Sequence, residues 1–235
     1  MRKQLLFSLI CIIAITACSR NKTLIIEGNI NNPAFNGSKV FIVGPDVVNE
    51  KYEDSAVIRN NKFRFAIQAD TMAIRTIRVQ PLSNAACEDV IFIKEAGTIK
   101  VFMSDRSHSS GTRLNDLIMT WKKLNLDYDS TQNYLSYAAG TPGMDSFSID
   151  SITKLSGNVD SVYLTKITAM LDQNLDNGFG MFLFRFYYDQ LSVDTRKSIL
   201  QKTGGSYISK DMTIWRKVMF DPAIPKENGQ IKLGN

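Results

Sequence analysis

The side chains best suited to redox or nucleophilic chemistry in this 235-residue chain are three cysteines and one histidine. The cysteines are Cys11, Cys18 and Cys87, and no Cys-x-x-Cys pair occurs. Glu88 and Asp89 follow Cys87 directly, and neighbouring carboxylates disfavour the thiolate that redox chemistry requires. Cys87 is a candidate redox thiol because it is the one thiol outside the N-terminal stretch. The carboxylates favour the alternative interpretation, a small apolar side chain packed in or near a strand.

His108 is the only imidazole, and it lies in a polar segment, residues 104–111, that is expected to connect two halves of the chain. A zinc site needs several Cys or His ligands at short spacing, and the sequence offers none. Four aspartates lie between 127 and 150, but without the alternating ligands, glycine and terminal glutamate of a calcium loop. We therefore predict no catalytic site, no metal site and no cofactor, and we expect a protein that is not an enzyme.

The N-terminus has the pattern of a secretory signal. Arg2 and Lys3 precede an apolar run, and two small residues stand directly before Cys18. The apolar stretch, residues 5–17, is shorter than the about 20 residues that a membrane-spanning helix requires. An ordinary secreted protein with an incidental Cys18 is the alternative.

An aliphatic residue, two small residues and then Cys18 resemble the lipobox of bacterial lipoproteins. The resemblance implies a signal peptide over 1–17, lipidation of Cys18 and a tether over 18–22. Several acyl chains hold a protein stably on a bilayer, whereas one does not. Position 19 is not the aspartate that retains many lipoproteins at the inner membrane, so the resemblance also implies the outer membrane, at its periplasmic face.

Net charge gives little indication of a partner. The whole chain carries a formal charge of +5, which falls to +3 without Arg2 and Lys3. These charges are spread along the sequence, whereas nucleic-acid binding needs a concentrated basic stripe. We therefore predict no nucleic-acid partner.

Residues 23–104 have the period of two that is typical of half-buried strands. Short alternating or apolar runs separated by turn residues predict strands over 24–30, 39–43, 55–58, 63–67, 74–79, 90–93 and 98–103. Asn60 and Asn61 suit the positive φ of a tight hairpin between the third and fourth of these. No crossover helix separates the strands, so we predict an antiparallel β-sandwich or barrel.

The order of turns and aromatic residues also resembles a known family. The features that carry the resemblance are Gly28, Asn36-Gly37, Asp54-Ser55-Ala56-Val57, Asn61-Lys62-Phe63-Arg64-Phe65, Phe92-Ile93, Glu95-Ala96-Gly97 and Gly111–Asp116. They are similar to the uncharacterised N-terminal β-domain of thioredoxin-like envelope lipoproteins, of the AhpC-TSA type. Members commonly continue into a thioredoxin-like domain with Cys-x-x-Cys. We expect this chain to lack that domain, so the redox activity of the family is not transferred to it.

Residues 105–221 change to a helical period. The spacing predicts a helix over 114–124, a linker over 127–143, and a long helix over 149–175 that Gly157 is expected to weaken or break. Asn177 or Gly178 is expected to provide its left-handed cap. The whole chain is thus predicted to be α+β, with a β-domain followed by a helical segment.

Further helices are expected towards the C-terminus. The apolar run Met181–Tyr188 predicts a buried helix, and Ser192 a cap for the helix 193–202, which Gly204-Gly205 would end. Asp211 is expected to cap a last helix before Pro222, and residues 222–235 to form a polar tail.

Three functions remain open on the sequence. The favoured one is a non-enzymatic envelope lipoprotein that presents a binding or scaffolding β-domain, with the membrane as partner through acylated Cys18. The second is an accessory to a separate thioredoxin-like reductase that acts through Cys87. The third is a glycan- or peptide-binding module of a nutrient-uptake system, for which the aromatic run over 179–188 could line a groove or simply belong to the core.

Overall fold

The computed structural model describes residues 23–44, 52–80 and 87–203, together with the backbone of two short strands near the C-terminus. The predicted signal peptide, the tether with Cys18, the Gly204-Gly205 helix end and the helix from Asp211 lie outside the described residues. The two C-terminal strands, Lys226–Glu227 and Gln230–Ile231, pair with each other in antiparallel fashion.

Eight strands precede the α-helices in the described part of the chain, and a short 3-10 helix, Pro33–Phe35, follows the first of them. The strands are β1 (Thr23–Ile30), β2 (Lys39–Val43), β3 (Tyr52–Val57), β4 (Lys62–Gln68), β5 (Asp70–Val79), β6 (Val90–Lys94), β7 (Gly97–Met103) and β8 (His108–Ser110). They form two four-stranded sheets, in the orders β4-β1-β7-β8 and β3-β2-β5-β6. Neither sheet closes into a barrel, and the predicted α+β class with N-terminal sheets and C-terminal helices is confirmed.

The first sheet is buried on one face only. In β1 the even-numbered side chains, such as Leu24 and Ile26, are buried, whereas Glu27 and Asn29 are exposed. The same alternation in β4 buries Phe63 and Phe65. These residues pack against the inner face of the second sheet in one shared core, so the opposite face of the first sheet is left to solvent.

One strand pair corrects the prediction of an entirely antiparallel domain. β1 pairs with β7 in parallel, from Leu24 opposite Gly97 to Ile30 opposite Met103. Parallel neighbours need a long crossover, which is often a helix. Here the connection passes through β2 and β3 of the second sheet, returns to the first sheet as β4, and then forms β5 and β6 of the second sheet. The absence of a helical pattern before residue 104 therefore did not exclude a parallel pair.

The predicted turn at Asn60 and Asn61 is present, but the predicted hairpin is not. Both residues have positive φ, +50° and +61°, and the turn is closed by a bridge between Arg59 and Lys62. The flanking strands then separate, because β3 pairs with β2 and β4 pairs with β1. The turn is therefore a crossing from one sheet to the other.

Four α-helices follow within the described residues. They are α1 (Arg113–Ala139), α2 (Ser146–Asp172), α3 (Gly178–Phe186) and α4 (Val193–Lys202). The cap at Ser192 is as predicted, since its hydroxyl accepts a hydrogen bond from the backbone N–H of Thr195 at 3.1 Å.

Three details of the helical prediction were wrong. The expected linker over 127–143 is helical as far as Ala139, because Gln132 and Tyr128 donate hydrogen bonds to Asp160 of α2 at 2.6 and 2.8 Å. No break occurs at Gly157, which lies inside α2. Asn177 caps the start of α3, where its side chain accepts from the backbone N–H of residue 179, and is not a left-handed cap of α2.

The helices cover the outer face of the second sheet. β6 is buried on both sides, since Val90 and Phe92 face the first sheet while Ile93 joins the core formed with the helices. The buried side chain of Asn115 in α1 exchanges hydrogen bonds with the backbone of Ile93, at 2.9 and 3.0 Å, on the edge strand of that sheet. The described part of the chain therefore has three layers, in which the outer face of the first sheet stays uncovered.

Candidate functional site

The free face of the first sheet forms an open concavity of about 880 Å³. Its charged lining residues are Arg59, Lys62, Arg64, Lys100 and Glu27. Four cations and one carboxylate give this surface, called here the cationic sheet face, a formal charge of +3. Arg59, Lys62 and Arg64 are close together in the sequence, and the fold brings the distant Lys100 to the same face.

The strand register arranges the exposed side chains of the face in two parallel rows. In the first row, the β1 residue Asn29 stands between Lys62 on β4 and Phe102 on β7. His108 on β8 is opposite Phe102 and completes this row.

In the second row, Glu27 stands between Arg64 and Lys100, and Ser110 is opposite Lys100. Each row crosses all four strands of the sheet, so residues far apart in sequence become neighbours.

The cations of the face have no anionic partners in the described ranges. The side chains of Arg59, Lys62, Arg64 and Lys100 form no ion pair there, although Arg75 and other cations elsewhere do. Glu27, between two of the cations, forms no ion pair with them either. Unpaired cations on an exposed, concave surface attract anions.

An aromatic pair lies at one end of the face. The ring centroids of Phe102 and His108 are 5.2 Å apart, and the rings are tilted by 32°. Phe102 is half-buried and His108 is exposed. The segment 104–111, expected to be a connector, thus contains strand β8 and places the only imidazole of the chain on the cationic sheet face.

Gly28 allows the sheet beneath the face to pack closely. A Cβ atom at this position would lie 2.0 Å from Cζ of Phe63, whose ring crosses the backbone of β1 on the buried side. The floor of the face is therefore supported by an aromatic ring of the core between the sheets.

Cations, neutral polar groups and an aromatic pair are suited to binding an anionic ligand. The face offers cations for carboxylates or other anions, together with the polar side chains of Asn29 and Ser110.

Residues 24–118 match the family described as a domain of unknown function (DUF4369). The match includes every strand from β1 to β8 except the first residue of β1, so the cationic sheet face belongs to the DUF4369 domain.

The match has a defined limit within the fold. It ends inside α1 at residue 118, so most of the helical layer lies beyond it. It is consistent with the uncharacterised β-domain family expected from the sequence. No curated protein matches the chain.

Cys87 does not line the cationic sheet face and packs at the edge of the core between the sheets. Its thiol is half-buried, and burial is the main cause that raises its pKa. Asp89 and Glu88 raise the pKa further, and a hydrogen bond with Ser107 opposes them. The thiolate is therefore disfavoured at neutral pH. This agrees with the effect predicted from the neighbouring carboxylates in the sequence.

The aromatic run over 179–188 belongs mostly to the core. Phe179, Leu183 and Phe184 are almost fully buried in the core that α3 shares with the other helices and β6. Phe186 is exposed at 55 %. The run therefore fills the helical core and does not line a groove.

The remaining expectations concern metals and membranes. In the described ranges, no three His, Cys, Asp or Glu side chains converge to hold a metal ion. None of the described helices is both long enough and apolar enough to cross a bilayer. Cys18, the predicted lipidation site, lies outside the described residues, and its modification stays a prediction.

The residues of the face were not identified from the sequence, although a signal existed. Lys62, Arg64 and Lys100 occupy exposed alternate positions in or beside predicted strands, as do Glu27 and Asn29. Alternation assigns each of them to the solvent side of its strand. It does not say which strands are neighbours, and that information is needed to place Lys100 on the same face as Lys62 and Arg64.

Proposed function

We propose that this protein is a non-enzymatic, lipid-anchored binding protein of the bacterial envelope, whose DUF4369 domain binds an anionic ligand through the cationic sheet face. The observation that carries the proposal is the group of four unpaired cations on the free face of the first sheet, within the described residues. The lipobox-like sequence that ends at Cys18 supports anchoring at the outer membrane.

The thioredoxin-like connection is a separate part of the proposal. The resemblance to the β-domain of thioredoxin-like lipoproteins supports an envelope location and an association with such proteins. The raised pKa of Cys87 weighs against a role of this thiol in their redox reaction.

Inorganic polyphosphate is a suitable probe for anion binding, because it has charge without the stereochemistry of a particular ligand. We expect the full mature chain to bind it in low salt and to release it as salt screens the charges. The triple variant Lys62→Glu, Arg64→Glu, Lys100→Glu should bind at least about tenfold more weakly, since each exposed charge contributes up to about 1 kcal/mol.

A matched control reverses three exposed lysines on helices α1, α2 and α4: Lys123→Glu, Lys154→Glu and Lys197→Glu. This control has the same net charge as the first triple variant and should bind like the wild type if the position of the charges matters. Equal loss in both variants, with circular dichroism showing both folded, would mean that net charge alone acts and that the face is not a site.

A further inference from the structure

We infer that the ligand of the cationic sheet face is a linear acidic polysaccharide, which lies across the four strands and places carboxylates on the cations and a sugar ring on Phe102. This inference rests on the proposed function and specifies its ligand. It follows from the spacing of the cations, the position of Glu27 and the aromatic pair.

The distances between the cations match a ligand whose negative charges are separated from one another. Arg64 and Lys100 stand on either side of β1, so their Cα atoms are about 10 Å apart, which is two inter-strand spacings. Lys62 and Arg64 are two residues apart on β4, which is about 7 Å. An extended ligand with charges at intervals can reach several of these cations at once, whereas a single small anion can reach few of them.

Glu27 distinguishes a hydroxyl-rich ligand from a densely charged one. Its carboxylate lies in the second row between Arg64 and Lys100, and an ionised carboxylate can only accept hydrogen bonds. A sugar hydroxyl can donate to it, while a phosphate chain would place negative charge against it. Asn29 and Ser110 provide further neutral partners for hydroxyl groups.

The aromatic pair provides an apolar surface beside these polar groups. The partly exposed ring of Phe102 is held against His108, and both belong to the row that also contains Asn29. A few precisely placed polar groups around an apolar surface are typical of small-ligand sites. The CH-rich face of a pyranose can pack on this ring while its substituents reach Lys62 or Lys100.

Two other anionic partners, a bilayer of anionic lipids and double-stranded DNA, fit the face less well. A bilayer presents a broad, nearly flat surface, whereas the cations here line a concavity. Double-stranded DNA carries one charge per about 1.7 Å of axis, which requires a denser cationic surface than this face with a carboxylate in its middle. The polysaccharide is therefore the better match, and an anionic bilayer serves as a comparison probe.

The experiment compares polygalacturonate with its methyl-esterified form, which has the same backbone without the charge. Inorganic polyphosphate and vesicles containing phosphatidylglycerol complete the set, all titrated against the full mature chain at fixed salt. We expect polygalacturonate to bind at least about tenfold more tightly than the methyl ester and the polyphosphate, a difference of about 1.4 kcal/mol or more. Charge reversal at Arg64 and Lys100 should abolish this advantage.

Three single substitutions separate recognition from simple charge. Phe102→Ala should weaken polygalacturonate binding about 3- to 10-fold, the range expected for one aromatic contact, and leave polyphosphate binding unchanged. Tyr137→Ala removes an aromatic ring that is 81 % exposed on α1 and should change neither. Glu27→Gln should strengthen polyphosphate binding more than polygalacturonate binding, because the amide removes the negative charge that opposes a phosphate chain and still accepts a hydrogen bond from a hydroxyl.

The outcomes separate the two proposals. If polyphosphate or the vesicles bind as tightly as polygalacturonate and Phe102→Ala has no effect, the polysaccharide is wrong while anion binding at the face stands. If no probe binds in a manner that depends on Lys62, Arg64 and Lys100, both proposals fail.

Discussion

Cys87 illustrates how the surroundings of a side chain decide its chemistry. The sulfur is half-buried beside the core of the two sheets, and burial raises its pKa more than any other cause. The carboxylates of Asp89 and Glu88 act in the same direction, while the hydrogen bond with Ser107 lowers the pKa. A thiol in this setting is a poor nucleophile at neutral pH, because the thiolate is the reactive species.

We therefore predict that Cys87 reacts slowly with iodoacetamide at a pH of about 7.5 in the folded protein, and faster after unfolding in urea. The folded-state rate should continue to rise above the pH at which the unfolded chain levels off, since the folded pKa is the higher one. By the same linkage, the stabilisation from the bound proton is fully present below the unfolded pKa and is lost as pH rises through the folded pKa.

Mass spectrometry of the Cys87 peptide measures this reaction directly and separates it from the other cysteines. A folded protein that reacts near neutral pH as fast as the unfolded chain would contradict the prediction and revive the redox accessory hypothesis.

Helices α1, α2 and α3 meet at a small buried polar network. Trp121 Nε1 on α1 donates to the hydroxyl of Tyr187, the residue after α3, at 2.8 Å. That hydroxyl also bonds to Asn125 at 2.9 Å and to Tyr163 of α2 at 2.5 Å. Burial is the main cause that raises the pKa of Tyr163, so its hydroxyl keeps its proton. Because hydrogen bonds are directional, the network helps to fix the angles at which these helices pack.

Removing the central hydroxyl should destabilise the helical layer. We predict that Tyr187→Phe lowers the free energy of unfolding by about 1–3 kcal/mol, because Trp121 Nε1 is then left buried without a partner. The measurement is urea unfolding followed by circular dichroism.

Tyr134→Phe is the matched control, since Tyr134 is 70 % exposed on α1. It should change the free energy of unfolding by less than about 0.5 kcal/mol. Equal effects of the two substitutions would show that the network contributes little.

The described part of the molecule has one covered side and one free side. The helices cover the second sheet, and the first sheet presents the cationic sheet face to solvent. Under the proposed lipid anchor, the tether 18–22 precedes β1. A tether of this length spans at most about 18 Å, so the face would lie close to the membrane surface.

The anchor itself has a direct test. In the native host, Cys18→Ser should abolish labelling of the protein with radioactive palmitate and move it from the membrane fraction to the soluble fraction, because the acyl chains supply the membrane affinity. Cys87→Ser is the control and should remain labelled and membrane-bound. A wild-type protein with an intact Met1, or without acyl chains, would contradict the anchor.

Much of the local structure followed from the sequence. Alternating side chains predicted most strands, and the helical period predicted α2, α3 and α4 within a few residues. Asn60 and Asn61 predicted the tight turn, and Ser192 predicted a helix cap. These features depend on neighbours within a few positions of each other, which is the information that periodicity and turn chemistry contain.

The features that were missed depend on distant partners. The second half of α1 has a polar sequence that resembles a linker, and its contacts with α2 stabilise it as a helix. The parallel pairing of β1 with β7 and the separation of β3 from β4 place Arg64, Glu27 and Lys100 side by side. The sequence alone determined which side of its strand each charge occupies. Only the tertiary structure decided which strands are neighbours, because pairing depends on how two whole sheets bury their apolar faces together, and that choice created the cationic sheet face.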